Sequence, residues 1–86
     1  MPQISAFYGI VVYMYWSDHP PPHFHALYAS LEATIAIQGG EVLKGAVPQR
    51  AYRLLREWAR LHQPELLDNW TRCETKQPLA AIAPLP

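Results

Sequence analysis

The chain has 86 residues, half of them hydrophobic and ten of them aromatic, which is enough large apolar side chain for a packed core and excludes a disordered chain. This length predicts one small domain over residues 1–86, because two separate cores would bury too little surface. Seven basic residues balance seven acidic ones, so the overall charge gives no reason to expect binding to nucleic acid or to a membrane.

The first predicted strand covers residues 10–17, where a β-branched and aromatic run from Ile10 to Trp16 has no polar face. Prolines dominate residues 18–22 and predict a connection, because proline lacks the N–H that a β-ladder needs. A second strand is predicted over residues 23–29. Its two-residue period places His23 and His25 on the same face.

Alternating apolar and polar side chains predict a third strand over residues 31–38. Gly39 and Gly40 follow, and glycine readily adopts the positive φ angles of a tight hairpin turn. Residues 41–44 are then predicted to return beside the third strand. The result is a small antiparallel β-meander of three to four strands.

Two helices are predicted after the strands. Pro48 suits the first turn of a helix over residues 48–62, since the N–H that proline lacks is unpaired there anyway. Pro64 interrupts this helix and begins a second one over residues 64–75, and residues 78–86 form an extended tail. Strands first and helices last indicate an α+β domain, with both helices packed on one face of the sheet.

The single cysteine, Cys73, cannot form an internal disulfide bond, whereas small secreted domains are usually held together by several. The N-terminus has no basic segment of the kind that precedes a signal peptide. No apolar stretch approaches the ~20 residues that a membrane-spanning helix needs. We therefore expect a cytoplasmic protein without a membrane partner, and we assign Cys73 no functional role.

Three of the four histidines lie within residues 19–25, and neutral imidazole is a common metal ligand. His23 and His25 are about 6.6 Å apart along a strand at 3.3 Å per residue, so both rings can converge on one ion. His19 would lie about 12 Å from His23 if the prolines between them ran straight, and it joins the site only if the connection bends. No cofactor follows from this spacing alone, but a divalent transition metal such as zinc is a candidate, with Asp18 or a distant carboxylate as the fourth donor.

The same histidines, His19, His23 and His25, are candidates for acid–base catalysis on phosphate without a metal. Four arginines on the first predicted helix favour a polyanionic ligand such as RNA. Residues 44–62 carry five basic and one acidic side chain, a local balance of plus four. The candidate binding residues are Trp16, Asp18, Arg50, Arg53, Arg56 and Arg60.

Each of these features also has a purely structural interpretation. The histidines and prolines can shape a rigid connection in which each imidazole hydrogen-bonds to the backbone or to a carboxylate. The arginines can form a solvated helix face, with an ion pair between Arg53 and Glu57 four residues apart. Trp16 can pack beneath the histidine connection instead of stacking on a ligand.

Five segments resemble a known bacterial family, domain of unknown function DUF4160, over nearly the whole chain. They are Pro2-x-Ile4, Asp18-His19-x-Pro21-Pro22-His23-x-His25, Gly40-Glu41-Val42-Leu43-x-Gly45, Glu57-Trp58 and Leu66-Leu67-x-Asn69-Trp70. The family motif falls on His19, Pro21, Pro22, His23, His25, Gly45, Trp58 and Trp70. The resemblance implies a short bacterial protein without an established activity. It also implies a partner encoded by a neighbouring gene, in an arrangement similar to a toxin–antitoxin pair.

Two functions follow as hypotheses, and the sequence does not decide whether the protein is an enzyme. The first is a binding module that acts with a partner protein or with nucleic acid. The second is a small histidine-dependent hydrolase or RNase, with or without a metal. Homo-oligomerisation is also expected, because the tail is apolar at Leu79, Ile82 and Leu85 and a sheet edge is left open.

Overall fold

The structure is a computed structural model that describes residues 2–86. It contains five strands and two helices, in the order β1 (Gln3–Phe7), β2 (Ile10–Tyr13), β3 (His23–Tyr28), β4 (Leu31–Ala36), β5 (Val42–Gly45), α1 (Gln49–Leu61) and α2 (Gln63–Glu74). The strands form one antiparallel sheet in which each strand pairs with its neighbours in the chain. The predicted α+β class and antiparallel meander are therefore confirmed.

The predicted number of three to four strands is wrong, because the sheet has five. The additional strand is β1, which pairs with β2. Its register shifts between Gln3 and Ser5, and the neighbouring residues Ile4 and Ser5 are both buried. This irregularity breaks the two-residue alternation by which a half-buried strand is identified in a sequence.

The predicted strand over residues 10–17 is shorter in the structure and ends at Tyr13. Met14 is still buried, and its N–H donates to the carbonyl of Pro2, but Tyr15 and Trp16 are exposed. The apolar run in the sequence thus extends beyond the strand. The same run supplies two aromatic rings to the connection that leads to β3.

The core lies between the sheet and the helices, with Trp58 of α1 at its centre. The indole ring of Trp58 is fully buried and contacts the rings of Phe7 and Phe24, at centroid distances of 5.3 and 5.7 Å. Phe24 therefore faces α1, and its neighbours in β3, His23 and His25, point to the opposite side of the strand. Neither helix has the length and apolar character that a membrane span requires.

The turn between β4 and β5 is tied to α1. Gly39 and Gly40 have φ angles of +84° and +70°, which glycine adopts without steric cost. The hydroxyl of Tyr52 donates to the carbonyl of Gly40, and the side-chain amide of Gln63 donates to the carbonyl of Ile37. These contacts fix the turn against α1 and the first residue of α2.

The tail after α2 lies along the body of the protein as an extended segment. The N–H of Ile82 donates to the carbonyl of Ile4 in β1, and the indole N–H of Trp58 donates to the carbonyl of Ala83. Buried Asn69 both donates to and accepts from the backbone of Ala80, at 2.9 Å in each case. Ile82 is itself buried, so an apolar residue that motivated the expectation of oligomerisation is covered within the chain.

Candidate metal centre

The connection between β2 and β3 folds back so that Asp18 meets the start of β3. One carboxylate oxygen of Asp18, Oδ2, lies 2.8 Å from Nε2 of His23 and 3.3 Å from Nε2 of His25. One ligand atom from each of these three side chains lies within 4.8 Å of the other two. Within residues 2–86 this Asp–His–His cluster (Asp18, His23 and His25) is the group of acidic, histidine and cysteine side chains arranged closely enough to hold a metal ion.

His23 has both ring nitrogens next to oxygen atoms. Its Nδ1 lies 2.7 Å from the carbonyl oxygen of Pro21, which can only accept, so Nδ1 carries a proton and donates. Nε2 then hydrogen-bonds to the Asp18 carboxylate only if it too is protonated. A metal ion between Nε2 and the carboxylate can replace this second proton, and the Pro21 carbonyl would orient the ring for that role.

His25 is held by neighbours on two strands and in the connection after β2. Thr34 of β4 and Tyr13 of β2 are its partners in the sheet register. The Thr34 hydroxyl lies 3.3 Å from Nδ1 of His25, and the Tyr13 ring stacks on the imidazole at a centroid distance of 5.3 Å. The Tyr15 ring packs against the imidazole edge-on, at 4.7 Å. These contacts leave Nε2 pointing at Asp18.

The electrostatics of Asp18 suit a charged carboxylate. Burial by itself raises the pKa of Asp18, but the hydrogen bonds from His23, His25 and the backbone N–H of His19 outweigh it and hold the pKa below its usual value. The nearby thiol of Cys73 responds in the opposite direction. Burial, and then the negative charges of Asp18 and Glu74, raise the pKa of Cys73 to about 11, so the thiol is protonated at neutral pH and is a poor ligand.

The distances within the cluster are close to those of a coordination sphere. Ligand bonds of about 2.0–2.2 Å arranged tetrahedrally place neighbouring ligand atoms about 3.3 Å apart. The Oδ2 atom of Asp18 already lies 2.8 and 3.3 Å from the two imidazole nitrogens. Two of the three ligand distances therefore already match a coordination sphere to within about 0.5 Å, and the third pair of ligand atoms lies within 4.8 Å.

The cluster opens into a surface cavity of about 360 Å³. Besides the three cluster residues, the cavity is lined by His19, Pro20, Pro21, Thr34, Leu43 and Lys44. Lys44 is the register partner of Thr34 on β5, so its ammonium group belongs to the same side of the sheet as His25. An ion bound to the cluster would thus face a cavity that has one positively charged side chain on its wall.

The family model of DUF4160, a domain of unknown function, matches residues 9–71, a span that includes the whole Asp–His–His cluster. The chain belongs to the DUF4160 family. No curated protein and no solved structure is significantly similar to it.

Of the remaining candidate site residues of this DUF4160 member, His19 contacts the cluster, with its Nδ1 3.5 Å from Oδ1 of Asp18, and the others lie apart from it. His19 is at the rim of the cavity, with a side chain that is 91% exposed and a ring centroid 6.4 Å from that of His23. Trp16 is 49% exposed and does not line the cavity. The four arginines, Arg50, Arg53, Arg56 and Arg60, are exposed on α1.

Sequence reasoning missed several residues that complete the site in this DUF4160 member. Tyr13, Thr34 and Lys44 are 9 to 21 positions from His23 and His25 and lie on other strands, and only the strand register brings them together. The alternation of apolar and polar residues along β3 and β4 could have indicated part of this arrangement, because it places Thr34 on the polar side of its strand. No pattern in the sequence predicts the contact between the Pro21 carbonyl and His23, since this contact depends on the path of the connection.

Proposed function

We propose that this protein is a metal-dependent hydrolase whose divalent transition metal is held by Asp18, His23 and His25. The observation that carries the proposal is the convergence of one carboxylate oxygen and two imidazole nitrogens to within 4.8 Å of one another. Catalytic zinc sites typically have three protein ligands and leave one position for water, whereas structural zinc sites use four. An ion held by these three side chains would supply a water molecule of lowered pKa as the nucleophile.

The arrangement favours a metal over acid–base catalysis by the histidines alone. A general acid and a general base need access to the substrate and separate roles. The side chains of His23 and His25 are only 7% and 12% exposed, and both point to the same carboxylate oxygen. This geometry favours a role for His23 and His25 as ligands of one metal ion over a role as two independent proton carriers.

The charges around the cavity favour an anionic substrate, and we propose a phosphate ester. The ion together with Lys44 would neutralise the negative charge that develops on a phosphoryl group during hydrolysis. His19 is exposed at the rim of the same cavity, where it can donate a proton to a leaving group. In this proposal His19 acts on the substrate and does not bind the metal.

The first test is elemental analysis of protein purified without an affinity tag and without chelator. We expect about one transition-metal ion per chain, and its loss in the His23→Ala, His25→Ala double variant. His62→Ala is the matched control, because His62 is the fourth histidine and pairs with Glu65 on α2 at 2.6 Å. His19→Ala should also retain the metal but should lower hydrolysis of a phosphodiester such as bis(p-nitrophenyl) phosphate by about 10²–10⁴-fold.

Two outcomes would contradict the proposal. A folded wild-type protein that takes up no zinc, manganese, nickel or iron at micromolar concentrations would exclude the metal site. A loaded protein with no activity on phosphodiesters would exclude the hydrolase and leave a metal-binding protein.

A binding module that acts with a partner protein is the second candidate, and the open edge of β5 favours it. Val42 and Leu43 on this edge strand are 41% and 39% exposed, and edge strands readily pair with a strand from another chain. A metal-free protein that remains folded would favour this candidate. A cytoplasmic location is part of both proposals, because the lone thiol of Cys73 is buried and unpaired.

A further inference from the structure

The outward face of α1 carries four arginines, Arg50, Arg53, Arg56 and Arg60. All four are exposed, and within residues 2–86 none of them forms an ion pair with a carboxylate. The ion pair expected between Arg53 and Glu57 does not form. By contrast, Arg72 of α2 pairs with Asp68 at 2.9 Å and also donates to the carbonyl of Pro78. The arginine on α2 is thus paired within the chain, whereas the charges of the four arginines on α1 are available to a ligand.

The spacing of these arginines fits a ligand with repeated negative charges. They follow one another at three, three and four residues, so they share one side of the helix and span about 15 Å at 1.5 Å per residue. The helix carries a single acidic residue, Glu57. A nucleic-acid backbone carries one negative charge per nucleotide, and the planar guanidinium group pairs with phosphate oxygens through two hydrogen bonds.

A small cavity lies beside the second half of this face. It has a volume of about 130 Å³ and is bounded by the Gly39–Gly40 turn on one side and by Arg56, Arg60 and Gln63 on the other. Arg56 lies closely over the turn, since a Cβ on Gly40 would come within 3.0 Å of its Nε atom. Nothing within 4 Å would meet a Cβ on Gly39, so this side of the turn is open to a phosphate group.

The same turn connects the arginine face to the metal centre. The N–H of Ile37, a residue that lines the small cavity, donates to the carbonyl of Pro22, the residue before His23. His23 is in turn the register partner of Ala36 at the end of β4. The half of the arginine face at Arg56 and Arg60 therefore lies at the same end of the sheet as the Asp–His–His cluster, whereas Arg50 lies beside Ile10 and Tyr28 at the other end.

We propose that the arginine face of α1, with the cavity at the Gly39–Gly40 turn, binds the phosphate backbone of nucleic acid and leads it over this turn toward the Asp–His–His cluster. This inference deepens the proposed function, because it names nucleic acid as the phosphate ester that the hydrolase acts on. Binding at the arginines needs no metal, so the two proposals fail separately.

The test is fluorescence anisotropy with a labelled 20-nucleotide oligouridine RNA, in EDTA, from 50 to 200 mM salt. Each phosphate contacted on a single strand contributes about 0.7 to the slope of log affinity against log salt concentration. If the wild type contacts four phosphates, its affinity should therefore fall about 50-fold over this range. The Arg56→Ala, Arg60→Ala variant keeps two contacts and should lose only about sevenfold. The matched control is Arg72→Ala, Lys76→Ala, which also removes two positive charges and should retain the wild-type slope.

A second variant on the same face, Arg50→Ala, Arg53→Ala, protects the test against a folding defect in the first. All variants are compared with the wild type by circular dichroism. Equal salt slopes in the face variants and in the control would overturn the inference, as would absence of RNA binding at 50 mM salt. Stronger binding of a polyglutamate of equal length would also overturn it and would point to an acidic protein instead.

Addition of metal separates this inference from the proposed function. RNA that is bound by the arginine face but not cleaved by metal-loaded protein would overturn the hydrolase and leave the inference intact. Cleavage of a small phosphodiester without RNA binding would do the reverse.

Discussion

At the scale of single residues, Asp18 is the hydrogen-bond acceptor that the imidazoles of His23 and His25 share. In the presence of chelator, Asp18→Asn should lower the free energy of unfolding by about 1–3 kcal/mol at pH 7, since a neutral amide oxygen replaces the charged acceptor that His23 and His25 share. The pKa of Asp18 is lower in the folded than in the unfolded state. Its contribution to stability is therefore fully present above about pH 5 and is lost as pH falls through the folded pKa.

Urea denaturation between pH 3 and pH 7 measures this difference. The difference in stability between the wild type and Asp18→Asn should narrow toward the acidic end, as the carboxyl group becomes protonated. Asp68→Asn is the control, because Asp68 is exposed and its pair with Arg72 should be worth less than about 1 kcal/mol. A gap between the wild type and Asp18→Asn that stays constant down to pH 3 would show that the carboxylate charge is not what stabilises the cluster.

The histidine motif identified these residues as a candidate site but not their arrangement. The two-residue period is a local property, and it places His23 and His25 on one side of β3 before any tertiary contact is known. The position of Asp18 is not local in this sense. It depends on contacts of the connection with the rest of the fold, such as the hydrogen bond from the N–H of Ser17 to the carbonyl of Cys73 on α2. Sequence alone therefore predicts the ligand candidates better than the ligand set.

At the scale of elements, the end of β5 depends on the absence of a side chain at Gly45. Gly45 has a φ angle of +75°, and a Cβ there would lie 2.2 Å from the carbonyl oxygen of Glu32 on β4. The same carbonyl accepts a hydrogen bond from the N–H of Ala46. Gly45→Ala should therefore cost the backbone strain of about 1–2 kcal/mol and a further ~1–3 kcal/mol for displacing β4 from β5.

Gly39→Ala is the matched control for this substitution. Gly39 also has a positive φ angle, +84°, but its Cβ would meet no atom within 4 Å. It should cost only the strain of about 1–2 kcal/mol. Chemical denaturation of both variants gives the comparison, and equal losses of stability would show that the approach of β4 to Gly45 has no energetic weight.

The strands and helices differ in how well the sequence pattern predicts them. β4 alternates regularly and α1 has an apolar stripe, and both are present in the structure at bounds close to those predicted. The sequence pattern does not predict β1, because the register shift disrupts the alternation of apolar and polar residues. It also places the end of β2 too late, because the apolar run continues through Trp16. Patterns identify elements whose burial is regular, and they fail where a strand is irregular or where apolar side chains serve a connection.

At the scale of the whole molecule, the two edges of the sheet differ. β1 is accompanied by the tail, whose Ile82 donates to the carbonyl of Ile4, whereas β5 lies at the other end of the strand order with all four of its residues exposed. The apolar tail thus has a role within one copy of the chain. Homo-oligomerisation stays a prediction, and β5 is the edge through which we expect it.

A metal ion would act on the whole molecule because the cluster joins separate parts of the fold. It connects β3 to the connection after β2, and Ser17 in that connection is hydrogen-bonded to α2. An ion present at a hundredfold excess over its Kd adds about 2.7 kcal/mol to the free energy of unfolding. For a domain of this size each kcal/mol raises the Tm by about 4–8 °C, so we expect an increase of about 10–20 °C.

Thermal unfolding followed by circular dichroism, with chelated protein and added zinc, measures this increase. His62→Ala should show the full increase in Tm, and the His23→Ala, His25→Ala variant should show none. Because only an ion that prefers the folded state raises the Tm, an equal increase in the double variant would mean that zinc binds elsewhere in the fold. A decrease in the wild type would mean that zinc prefers the unfolded chain, in which the histidines and Cys73 are all free to bind it.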